Sequence, residues 1–120
     1  MKILATYNIK GGVGKTSTAV NLAYLAAQEG YRTLLWDLDP QGAASFCFRI
    51  KPKVKGGVQA VKRRKNILDK AVKATDYEGL DLIPADFSFR NFDQVFSDAK
   101  KPRAFRILCQ PNRLNIQNAI

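Results

Sequence analysis

The 120-residue sequence has no histidine and only two cysteines, Cys47 and Cys109, which stand far apart and form no CxxC pair. This excludes a disulfide framework and offers no zinc-ligand spacing, and two lone thiols fit a reducing cytoplasm. Long hydrophobic runs are missing too. The apolar stretch Ile3 to Tyr7, interrupted by Thr6, is too short for a signal sequence or a membrane span, so a soluble protein without a membrane anchor is expected. Acidic residues are scarce: 10 Asp and Glu face 20 Lys and Arg, giving a net charge of +10. No acid lies between Arg49 and Lys65, and none follows Asp98. Such a balance favours polyanionic partners, whether nucleic acid, nucleotide or an anionic surface, and charge alone does not choose among them. A chain of this length buries one modest core, which fits one domain or part of one. Internal repeats and low-complexity tracts are absent.

What is present alternates between strand and helix patterns. Ile3 to Tyr7 reads as a fully buried strand, being short, apolar and bounded by polar and glycine-rich sequence. Lys15 to Glu29 reads as a helix of strong helix formers free of Pro and Gly, with apolar faces on Val20, Ala23 and Ala27 and on Leu22, Leu25 and Ala26. Gly30 suits its C-terminal cap. Thr33 to Trp36 reads as a second buried strand ending at Asp37, and strand, helix, strand at this spacing implies a parallel crossover. Residues 40–65, with Pro40, Gly42, Pro52, Gly56 and Gly57, read as loop with short helical pieces. Ile67, Leu68, Ala71, Val72 and Thr75 fit one helical face, with Asn66 and Asp69 as a capping pair. Leu80 to Ile83 reads as a third strand stopped by Pro84. Phe89, Phe92, Val95, Phe96 and Ala99 recur at helical spacing and read as core packing. The expected fold class is α/β: a doubly wound parallel sheet with helices on both faces, incomplete at about three strands.

Chemistry concentrates in KGGVGKT, residues 10–16. A glycine-rich turn ahead of a helix presents main-chain N–H groups and the positive end of the helix dipole, which together hold phosphate. Lys15 at the helix start is placed for the β- and γ-phosphates, and the Thr16 hydroxyl for a magnesium ion carried by them. The candidate nucleotide-binding set is Lys10, Gly11, Gly12, Val13, Gly14, Lys15, Thr16 and Ser17, for a ligand carrying β- and γ-phosphates together with Mg2+. A second constellation is WDLDPQG, residues 36–42. Asp37 falls at the carboxyl end of a strand, the edge where ligands bind in open parallel sheets, and Asp39 lies just beyond it. One carboxylate could order magnesium-bound water and the other orient the attacking water, since phosphoryl transfer needs positioning and charge compensation. Alternatively, both acids cap the segment that follows.

An ordinary phosphate loop, GxxxxGK[ST], would carry glycine at position 9, where this chain has Ile9. KGGVGKT instead resembles the deviant loop of the ParA/MinD superfamily of P-loop ATPases, and DLDPQG is similar to the first switch of its ParA partition branch rather than to MinD or the nitrogenase iron protein. The resemblance, weaker through YEGLDLIPADFSFRNFD, covers residues 1–102; residues 103–120 form a divergent tail. It implies an ATPase with Lys10, Lys15 and Asp39 as catalytic residues: Lys10 reaching the phosphates of a partner subunit in an ATP-dependent homodimer, and Asp39 assisting hydrolysis. Asp37 and Thr16 are the candidate metal residues. The family also carries a later strand ending in DxxP, for which this chain has no acid after Asp98. A truncated or frameshifted copy, or completion by another chain, is thereby expected, with ATP turnover near background.

The acid-free stretch contributes Arg49, Lys51, Lys53, Lys55, Lys62, Arg63, Arg64 and Lys65 as candidate non-specific DNA contacts, with a solvated loop as the plain alternative. The resemblance implies a DNA-segregation or cargo-positioning ATPase that binds non-specific DNA, is nucleoid-associated in the cytoplasm, and answers to a ParB-like or other stimulating protein. A non-enzymatic basic DNA- or partner-binding fragment, or a degenerate fragment without function, is the alternative.

Overall fold

The computed structural model of the chain describes residues 2–62 and 70–91. Helix α1 (Lys15–Gln28) begins where expected because KTSTAVNLAYLAAQ contains neither Pro nor Gly. It ends because Gly30 adopts φ 86°, letting the N–H groups of Gly30 and Tyr31 turn back to the carbonyls of Ala27 and Ala26 at 2.9 and 3.0 Å. The short link 29–32 then folds the chain back into strand β1 (Thr33–Trp36). Two short helices follow, α2 (Ala43–Cys47) and α3 (Gly57–Lys62), then strands β2 (Lys73–Ala74) and β3 (Leu80–Ile83) and a 3-10 turn (Phe87–Asn91).

The sheet order is β1-β3-β2. β1 and β3 run parallel, with Thr33 opposite Leu80 and Trp36 opposite Ile83, whereas β2 is antiparallel to β3. The side-chain alternation of a strand divides the apolar residues between two cores. On one face Ala23 and Ala27 of α1 pack with Phe48, Leu80 and Leu82, joined by Val20, Leu35 and Ile50. On the other, Val54, Val58, Ala71, Ile83 and Phe89 pack with Leu34, Trp36 and Val72. Leu80, Leu82 and Ile83 of the central strand are fully buried, each contributing roughly 1.5–3 kcal/mol relative to exposure. Tyr77 bridges α1 and the end of α2, edge-on to Tyr24 at 5.1 Å and to Phe48 at 6.1 Å between ring centroids.

Among the described residues the architecture is thus α/β with three strands and both faces covered, and the strands at 33–36 and 80–83 have the bounds that their sequence suggests. One strand differs. Residues 3–7 form no strand, and Ile3, Leu4 and Tyr7 are exposed. An apolar run becomes a strand only where a neighbour supplies ladder hydrogen bonds. Among the described residues nothing pairs with this segment, and β1 is left as a sheet edge. The third strand is instead β2, two exposed residues without an apolar signature, so the sheet is mixed rather than wholly parallel. The crossover through α1 consequently has no first strand in this sheet. The second apolar face expected on α1 also stays largely in solvent: Leu22 and Leu25 are exposed. Of the helical faces proposed around residues 66–75 and 89–99, only Ala71, Val72, Thr75 and Phe89 fall within described residues. Ala71 and Phe89 are buried as core, and Val72 packs beside them. The expected helical face does not continue past Ala71, however: Lys73 and Ala74 pair with β3 as strand β2, which leaves Thr75 beyond a strand, and Phe89 lies in the 3-10 turn.

Candidate functional site

The glycine-rich loop stands at the amino end of α1. Gly14 is its N-cap, in a left-handed conformation (φ 84°, ψ 13°), and no side chain caps the helix. A β-carbon at Gly14 would meet no atom within 4 Å, so the glycine is required by backbone conformation and not by crowding. The first N–H groups of a helix have no intrahelical partner, and here Lys15 and Thr16 stand on that first turn. The Lys15 ammonium donates to the carbonyl oxygen of Lys10 at 2.9 Å, drawing the loop together. Lys10 N–H in turn donates to the Asn8 side chain at 2.9 Å. Residues 10–14 and Ser17 are exposed; Lys15 and Thr16 are half-buried.

Asp37 and Asp39 lie at the carboxyl end of β1. Because the short link folds α1 back along the strand and the two pack together, this end of β1 and the loop-bearing end of α1 share one edge of the fold. Asp37 is buried, and its carboxylate accepts three hydrogen bonds: from Asp39 N–H at 3.2 Å, and from the Ser45 N–H and hydroxyl, both at 2.8 Å. Asp37 thereby caps α2 from outside the helix, since Gly42 at the N-cap has no side chain to do so. A carboxylate has about four acceptor positions, so this capping leaves room for another partner. Asp39 is exposed; its carboxylate accepts from Gln41 N–H at 2.9 Å and its carbonyl from Gly42 N–H at 2.8 Å, closing the turn. Ser45 escaped the sequence reading. Its only trace there is a hydroxyl residue eight positions beyond the strand-end aspartate.

The basic candidates divide. Arg49, Lys51, Lys53 and Lys55 are exposed along the connection from α2 to α3, Arg49 with a left-handed φ of 56°. Lys62 is the last described residue of α3, and Arg63, Arg64 and Lys65 lie outside the described residues. This connection is fastened to the segment after β3. The Asp86 carboxylate accepts from Val54 N–H at 2.8 Å and from Ser88, whose hydroxyl accepts from Val58 N–H at 2.8 Å. Burial alone would raise the Asp86 carboxyl, but the Ser88 hydroxyl, the Val54 and Ser88 N–H groups and the nearby Lys53 charge outweigh it and hold it below the ordinary aspartate value.

These groups suit a magnesium-bound nucleotide. An uncapped helix end with a lysine and a threonine on its first turn matches a polyphosphate, and a phosphate-bound magnesium needs only one or two protein oxygens because phosphate and water supply the rest. Among the described residues no three His, Cys, Asp or Glu side chains gather as a cage of their own, and no helix is long and apolar enough to cross a membrane.

Loop, strand-end aspartates and two-faced sheet together define a P-loop ATPase fold. The AAA_31 family, described as an AAA domain, matches residues 1–114, and the chain belongs to it, within the ParA/MinD superfamily. The sporulation initiation inhibitor protein Soj of Bacillus subtilis is 46% identical over 85 residues, covering 70% of this chain and 34% of Soj. The chromosome partitioning protein ParA of Caulobacter vibrioides is 42% identical over 96 residues, covering 72% of this chain and 33% of ParA. Among solved structures, cobyrinic acid a,c-diamide synthase from Mycobacterium smegmatis with bound ADP and magnesium superposes with a TM-score of 0.71 at 31% identity, over 88% of this chain and 45% of the synthase. The chain thus spans about a third of the length of these curated relatives.

Proposed function

We propose that this chain carries the ATP- and magnesium-binding elements of a ParA-type partition ATPase, which couples nucleotide state to dimerisation and to non-specific DNA binding in DNA segregation or cargo positioning. The observation that carries the reading is the uncapped, glycine-entered start of α1, with Lys15 and Thr16 on its first turn, at the same edge of the fold as Asp37 and Asp39. Main-chain N–H groups from Gly11 to Ser17 and the Lys15 ammonium hold the phosphates, the ammonium leaving the Lys10 carbonyl to do so. Magnesium, when bound, neutralises developing phosphate charge. Thr16 and Asp37 serve the metal side. Asp39, exposed on its closed turn, orients the attacking water, and Lys10 reaches the phosphates of a second subunit. Partition ATPase relatives support this general kind of function.

The exposed Arg49, Lys51, Lys53 and Lys55 favour the DNA contact, and equally a second reading in which the chain binds polyanions without turnover. A ParB-like or other partner would then act on either form. Amide-resonance mapping with ATP and magnesium tests the proposal: the largest shifts should fall at residues 10–17, with a second group at 37–45. Shifts confined to residues 49–55 would favour the non-enzymatic reading.

A further inference from the structure

The hydroxyl of Ser45 joins three separate segments. It donates to Asp37 Oδ2 at 2.8 Å and accepts from Ala85 N–H at 2.9 Å, while Ser45 N–H donates to the same Asp37 oxygen at 2.8 Å. Asp37 follows β1, Ser45 sits within α2, and Ala85 follows β3. Ser45 and Ala85 are wholly inaccessible to solvent and Asp37 is 5% exposed, so these bonds form away from water, where hydrogen bonds to a carboxylate are strongest. The other Asp37 oxygen accepts from Asp39 N–H, and Asp39 closes the turn through Gln41 and Gly42. The backbone of Asp39 is therefore held from one side by Asp37 and from the other by its own turn.

We infer that Ser45 is a positioning residue for the carboxylate turn: by fixing Asp37 and, through it, Asp39, it sets the metal-side geometry of the nucleotide site without touching nucleotide or metal. This rests on the proposed nucleotide function. Removing the hydroxyl takes away one of the three bonds to Asp37 and leaves Ala85 N–H buried without its acceptor. Supporting groups around a metal site commonly govern metal affinity in this way. The phosphate loop belongs to a different element and shares none of these bonds, so phosphate binding without metal should be spared.

The test compares the 120-residue chain with Ser45→Ala and Ser45→Thr, titrating a non-hydrolysable ATP analogue with and without magnesium. Metal-free affinity should remain nearly that of the parent in Ser45→Ala, while the gain in affinity from magnesium falls about tenfold. Ser45→Thr, which keeps the hydroxyl, should restore most of that gain. A merely structural role would weaken the metal-free and the magnesium-dependent affinities together. In the unsubstituted chain, adding magnesium to the nucleotide-bound protein should move the Asp39, Ser45 and Ala85 amide resonances as a group, a readout that holds even if Ser45→Ala does not fold. Movement of Asp39 alone, or a full magnesium gain in folded Ser45→Ala, would overturn the inference while leaving the nucleotide function standing. Absence of nucleotide binding by the unsubstituted chain would overturn both.

Discussion

The Lys15 ammonium donates to the main-chain carbonyl of Lys10 at 2.9 Å, so the two lysines of the loop meet through the backbone of one and the side chain of the other. The Lys10 side chain takes no part in that contact and is exposed. Lys10→Ala should consequently leave nucleotide binding by the monomer nearly intact and weaken ATP-dependent dimerisation. Sedimentation at matched concentrations checks this, and equal dimer fractions in the two proteins would remove the proposed role across the subunit boundary.

Gly42 is held by two constraints at once. Its φ is 68°, and a β-carbon there would lie 2.8 Å from Pro52 Cβ. Gly42→Ala therefore combines left-handed strain with overpacking against a ring that is not a flexible chain end. It should cost about 2–4 kcal/mol in unfolding free energy. Chemical denaturation measures it, and an unchanged midpoint would contradict the packing described between the carboxylate turn and the segment that follows α2.

Asp86 predicts an acid dependence with a definite sign. Its carboxyl is held below the usual value in the folded chain, so its contribution is fully present above the unfolded pKa, about 3.9, and is lost as pH falls through the lower folded value. Asp86→Asn should melt at a lower temperature than the parent at neutral pH, and the difference should shrink below pH ~4. A gap that stays constant across that range would show that the carboxylate charge is not what fastens Val54.

Replacing Lys51, Lys53 and Lys55 with glutamine should lower DNA affinity and flatten its dependence on salt, by about one unit of slope for each phosphate that a lysine no longer neutralises. Affinity measured over a salt series checks this. A slope equal to the parent's would return these exposed lysines to the role of a solvated loop.

Much of this arrangement is legible in the sequence because it depends on local rules. The apolar runs at 33–36 and 80–83, the unbroken helix formers from Lys15 and the left-handed Gly30 each fix their own element. Ile3 to Tyr7 carries the same kind of signal, yet it forms no strand, because a strand also needs a partner that its own residues do not specify. β2 shows the reverse: Lys73 and Ala74 have no strand signature and are recruited by the exposed edge of β3. At the site, the phosphate loop and both aspartates are readable from spacing. The Ser45 link is not, since Asp37, Ser45 and Ala85 are brought together only when β1 and β3 pair.

The central claim is that the start of α1 binds a magnesium nucleotide through Lys15. Calorimetric titration of ATP and magnesium into the chain and into Lys15→Ala tests it most directly. Single-site binding that Lys15→Ala weakens at least about tenfold is the predicted result, a loss in keeping with a charge-assisted hydrogen bond to phosphate. No binding by the parent chain, or equal affinity in the two proteins, would contradict it.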